Sequence, residues 1–84
     1  MRNILRKADR ITSGIKRKAY GHPKENFKRT AALWSAILGV EVSSQQVALC
    51  MVAFKLAREA FRHKEDNLVD AVGYLVNLDM LYEV

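Results

Sequence analysis

Lys55, Arg58, Glu59, Asp66 and Asp70 fall between two strongly apolar runs, with His63 among them and Tyr74 just beyond. Cations of this kind grip phosphate, and they do so best through charge-assisted hydrogen bonds. Carboxylates of this kind suit Mg²⁺, which takes oxygen ligands and is commonly shared between one or two carboxylates and substrate phosphates. Lys55, Arg58, Glu59 and Arg62 are spaced three, one and three, so a helix would put them on one face. Asn67, Asp70, Tyr74 and Asn77 share a polar face of the next helix. If both faces meet, Lys55, Arg58, Glu59, Asp66, Asp70 and Tyr74 line one groove, in which Glu59, Asp66 and Asp70 are the metal candidates. The plain alternative is local ion pairing: Lys55–Glu59, Glu59–His63 and Arg62–Asp66 are all four residues apart, and such pairs contribute only a few tenths of a kcal/mol.

A second candidate is the loop Tyr20-Gly21-His22-Pro23. Tyr20 and His22 there could stack a base or bind a phosphate beside basic helices. A Tyr packed on the core and an exposed His explain the same residues. Trp34 lies on an apolar stripe and is expected in the core. So is Cys50, inside VALCMVAF.

The elements that must position these residues are helices. Ile4, Ala8, Ile11, Ile15 and Ala19 recur at the helical period, which predicts a helix over 3–19. Gly14 inside it marks a bend or a close contact. Gly21 can take positive φ and end that helix, and Pro23 suits the first turn of the next. Residues 24–38 read as the second helix, with Phe27, Ala31, Trp34, Ile37 and Leu38 as its apolar face and Gly39 as its stop. Val40 to Val42 is a connector. Ser43 and Gln46 fit a capping box that starts the third helix near Ser44 and carries it to about Arg62. Its first half is apolar on every side, as in a central or interfacial helix. Asp66 or Asn67 is the expected cap of the fourth helix, which runs to about Tyr82. Gly73 would let another backbone or a ligand approach. The fold class is all-α: a single domain over 1–84, a bundle of three to four helices around a central antiparallel helical hairpin, completed by oligomerisation.

Composition narrows the function. Half of the 84 residues are hydrophobic, more than so short a chain needs for its own core, which points to a homo-oligomer. The net charge of +5 is uneven: residues 1–29 carry ten Lys/Arg against two acids, and residues 30–84 four against seven. The basic part would attract phosphates. A single cysteine, no signal-like N-terminus and no apolar run of membrane-span length predict a cytoplasmic protein with no membrane partner.

Ile4-Leu5…Ala8-Asp9, Tyr20-Gly21-His22-Pro23 with Asn26-Phe27, Ala32-Leu33-Trp34-Ser35, Val47-Ala48-Leu49, Lys55-Leu56-Ala57-Arg58 and His63 to Tyr74 together resemble a family of small phage and prophage proteins. The match spans nearly the whole chain, and its YGHP and DNLVD–GY blocks are its most specific parts. More distantly, the helix pair resembles the MazG-like all-α nucleotide pyrophosphohydrolases, which hold Mg²⁺ between an EExxE helix and a following ExxD helix and act as oligomers. Asn67-Leu68-Val69-Asp70 stands where ExxD would be. EExxE is absent, and Lys55 and Arg58 take part of that surface.

A site richer in cations than in carboxylates points to binding of a phosphorylated nucleotide through Tyr20, His22, Lys55, Arg58, His63 and Tyr74, and the phage resemblance adds sequestration of a nucleotide signal in counter-defence as one role. No catalytic residue is assigned. The runner-up is a Mg²⁺-dependent pyrophosphohydrolase with Glu59, Asp66 and Asp70 as ligands. Below it stand nucleic-acid binding through Arg2, Arg6, Arg10 and Lys16 to Lys18, and docking of the basic face on an acidic protein.

Overall fold

A computed structural model describes residues 2–15 and 21–83. It is all-α, with four helices and no strand among the described residues. Helix α1, Asn3–Arg10, continues into a π-helical turn, Ile11–Ile15. Helix α2 is Pro23–Leu38, α3 is Ser44–Phe61 and α4 is Glu65–Leu81. Helix α4 is central. It packs most extensively on α3, then on α1, while α2 packs mainly on α3.

Local chemistry sets most boundaries. His22 is extended and Pro23 opens α2, with the Lys24 amide donating to His22 Nδ1 at 3.1 Å. Gly39 ends α2 in the left-handed region at φ 72°, and its amide reaches the Ser35 carbonyl. Such a residue has no Cβ to clash there. The Ser35 hydroxyl then receives the Val42 amide at 2.9 Å, which fixes the connector. The capping box forms in both directions: the Gln46 amide donates to Ser43 Oγ at 3.1 Å, and the Ser43 amide to Gln46 Oε1 at 2.8 Å.

The first helix departs from the expected single run over 3–19. It changes pitch at Ile11, where Thr12, Ser13 and Gly14 follow one another. Thr12 Oγ1 donates back to the Ala8 and Asp9 carbonyls, and Ser13 Oγ to that of Asp9. Hydroxyls that bond the preceding turn compete with regular α geometry, and glycine adds its own cost. A Cβ on Gly14 would meet none of the described residues, so Gly14 makes no close contact among them. Gly73 does: a Cβ there would lie 3.4 Å from Thr12 Cγ2, so α1 and α4 approach closely at that point. Residues 16–20, the tail of the expected helix, lie outside the described residues.

The core gathers Phe27, Ala31, Val47, Ala48 and Leu81, with Trp34, Val42, Met51, Tyr74 and Leu78 packed around them. Two expectations fail here. Ile37 and Leu38 are exposed, because α2 buries only its N-terminal two-thirds. Cys50 is exposed as well. Helix α3 turns Val47 and Ala48 inward and leaves Leu49, Cys50, Ala53 and Phe54 outside. The all-round apolar character of α3 therefore records two faces, one of them unpartnered.

Candidate functional site

Helices α3 and α4 are joined by Arg62 to Lys64 and run side by side. The cap of α4 is Lys64, and Asp66 and Asn67 lie in its first turn instead of capping it. Glu59 explains why. Its Oε1 accepts the Lys64 amide at 3.0 Å and the Asn67 side-chain amide at 3.3 Å, while Oε2 meets His63 Nδ1. A carboxylate from α3 thus ties down the residue before α4 and the Asn67 side chain, without accepting from the free amides of the α4 first turn. Asp66 is left to line the groove.

His63, the Lys64 amide and Asn67 hold the Glu59 carboxyl below its usual value of 4.5. A depressed native value means that the folded protein binds fewer protons than the unfolded chain, so the contribution is present above about 4.5 and is lost as pH falls through the native value. Thermal melts in acid should show this loss in the parent protein and a smaller one in Glu59→Gln. Parallel pH profiles for the two would remove Glu59 from the account.

Toward its C-terminal end, the side of α3 that carries Val47, Ala48 and Met51 meets α4 in an open groove of about 710 Å³. Lys55, Arg58, Arg62 and Lys64 line it against Asp66 and Asp70. Lys55 Nζ pairs with Asp70 Oδ2 at 3.0 Å, and both side chains are largely buried. The Arg58 guanidinium lies 4.3 Å from the centre of the Phe54 ring, which orders it. Among the described residues, no ion pair joins Lys55 to Glu59 or Arg62 to Asp66; of the three local pairs, only Glu59–His63 forms. Lys55 instead crosses to Asp70 on the neighbouring helix.

The expected site residues therefore divide. Lys55, Arg58, Asp66 and Asp70 share the groove. Arg62 and Lys64 belong there too, although they were read only as a face residue and a turn residue; the three-four spacing from Arg58 already pointed to Arg62. Glu59 and His63 are absorbed in the turn. Among the described residues, no three His, Cys, Asp or Glu side chains gather closely enough to hold a metal ion. Tyr20 lies outside the described residues, and His22 is exposed at its helix cap. Tyr74 does not line the groove. It faces a separate cavity of about 250 Å³ bounded by α1, Gly21, α2 and α4, where it meets Phe27 edge-on with centroids 6.4 Å apart. Asp70 borders both compartments.

A family model described as a domain of unknown function, DUF6378, matches residues 3–80. The chain belongs to that family. Similar DUF6378-length stretches occur in the Gene 55 protein of Mycobacterium phage D29, 39% identical over 82 residues, and in the Gene 55 protein of Mycobacterium phage L5, 39% identical over 74. Those alignments cover 96% and 86% of this chain but 54% and 47% of the phage proteins. The chain thus spans about half the length of these relatives. No solved structure matches it. The expected kinship with phage proteins holds at this level. No helix among the described residues is long and apolar enough to cross a membrane.

Proposed function

We propose that the chain binds a phosphorylated nucleotide along the α3–α4 groove. One observation carries this reading: four cations line one groove against two carboxylates, and one of them, Arg58, is held in place by Phe54. Local ion pairing would have used these side chains on their own helix. In the groove Arg58, Arg62 and Lys64 are exposed beside the Lys55–Asp70 pair, and a phosphate chain would find several charge-assisted donors at once. Binding without turnover suits the shortage of convergent carboxylates, and sequestration of a nucleotide signal is the role that fits such a protein.

The test is calorimetric titration with a panel of nucleoside mono-, di- and triphosphates. A hydrogen bond to a charged group contributes about 1.5–3 kcal/mol, so Arg58→Ala should weaken binding roughly 10- to 100-fold with an unchanged far-ultraviolet CD spectrum. Unaltered affinity in that variant would falsify the assignment of the groove. The second reading, a Mg²⁺-dependent pyrophosphohydrolase, keeps one supporting observation: Asp66 and Asp70 both line the groove, where they and a substrate phosphate could share a Mg²⁺. Chromatography after incubation with Mg²⁺ decides between binding and hydrolysis. Nucleic-acid binding by Arg2, Arg6 and Arg10 ranks below both.

The outer face of α3 supports the homo-oligomer as part of this proposal. Leu49, Ala53, Leu56 and Ala60 recur at four, three and four residues, the seam spacing of paired helices. Leu49 and Leu56 are half exposed, and the alanines would let a second copy of α3 come close. Leu56→Glu should shift the protein to monomer in sedimentation velocity. A parent protein that is monomeric at every concentration ends this part of the proposal.

A further inference from the structure

The cavity behind Asp70 differs from the groove in chemistry. The groove is cationic, whereas the cavity is lined by carboxamides, a hydroxyl and an aromatic wall: Asn26, Asn77, Thr12, Phe27 and Tyr74, with Asp70 at its border. Asn26 and Asn77 are half-buried, and neither carboxamide bonds another described residue. Each offers two donors and an acceptor. Being only partly buried, both carboxamides stay open to a ligand, which would exchange their water for direct hydrogen bonds. Thr12 spends its proton on the Ala8 and Asp9 carbonyls, so toward a ligand it can only accept. At about 250 Å³ the space lies just below the ~300–1,000 Å³ of sites for drug-sized ligands, the right scale for a single flat heterocycle.

We infer that this cavity takes the base of the nucleotide whose phosphates lie in the groove, with Asn26 and Asn77 reading its donor and acceptor edge and Phe27 closing one side. Bases are recognised elsewhere in this manner, by edge hydrogen bonds within an aromatic and apolar slot. Asp70 lies at the junction, bordering the cavity and paired to Lys55 in the groove. This inference rests on the groove reading above, and it predicts something the groove alone does not: selectivity among bases.

The experiment titrates the protein with ATP, GTP, CTP, UTP and inorganic tripolyphosphate. The expected result is a spread of at least tenfold among the four nucleotides, with tripolyphosphate weaker than the best of them. Asn77→Leu should compress that spread to about twofold and leave tripolyphosphate affinity unchanged. Equal affinities for all five probes would overturn the base site and leave the groove reading standing. Binding of none of them would remove both. If Asn77→Leu does not fold, the spread in the parent protein already decides.

Discussion

Phe27→Ala should lower the melting temperature more than any other single truncation in this chain. Phe27 is only 4% exposed and is the largest side chain in the core cluster. It joins α2 to α3 and meets the ring of Tyr74 on α4 at 90°. Truncating a buried Phe costs about 3–5 kcal/mol, from lost transfer energy and the void left behind. The edge-to-face pair adds about 0.5–1.5 kcal/mol. A domain of this size has a total stability on the order of 5 kcal/mol and loses roughly 4–8 °C per kcal/mol. The variant should therefore melt at least about 15 °C lower, or fail to fold at ordinary temperature. Phe27→Leu, which keeps most of the volume, should lose much less. A melting temperature within a few degrees of the parent for Phe27→Ala would mean that the core is not built around this ring.

Lys55→Ala and Asp70→Asn should both destabilise the fold while moving nucleotide affinity in opposite directions. The two side chains form one largely buried pair. Breaking such a pair costs up to about 3–5 kcal/mol when burial is complete, and on the order of 1–2 kcal/mol is expected at this partly open site. Lys55→Ala removes one of four cations and leaves a carboxylate facing the ligand, so phosphate binding should fall by more than tenfold. Asp70→Asn removes an anion and frees Lys55 for a phosphate, so tripolyphosphate should bind more tightly. The hydrolase reading demands the reverse for Asp70→Asn, because there Asp70 is a metal ligand and its loss abolishes turnover. Differential scanning fluorimetry and titration of the same two variants read both effects. Equal losses of affinity in both would count against a simple phosphate groove.

Much of the fold was legible because it is written in local rules. Ser43 with Gln46, Pro23 after an extended His22, and Gly39 at positive φ each act within a few residues, and each sits where the pattern placed it. The helical hairpin followed from a connection of three residues. The failures share one cause, which is that local pattern cannot say which neighbour arrives. Asp66 and Asn67 are good caps, but Glu59 reached the Lys64 amide from another helix. Cys50 looked internal because α3 is apolar all round, and only the packing of α2 and α4 selects which side is covered. Tyr74 lies on the expected polar face with Asp70 and Asn77, yet that face splits between two compartments. The π-helical turn has no periodic signature of its own, and Gly14 inside the run was its hint. Part of the proposed groove, Lys55 and Arg58 against Asp66 and Asp70, could be outlined from spacing. The cavity could not, since it joins residues from Ala8 to Asn77.

That last contrast bears on how the molecule assembles. Helices α3 and α4 are sequence neighbours, so their pairing closes only a short loop and can precede everything else. Helix α1 meets α4 across most of the chain: the Lys7–Glu65 ion pair links residues 58 apart. Its docking on α4 closes the longer loop and carries the higher entropic cost of closure. The groove is lined by the hairpin alone, whereas the cavity needs the first segment and α2 as well. Fraying from the N-terminal end would therefore open the cavity and leave the cations of the hairpin in register.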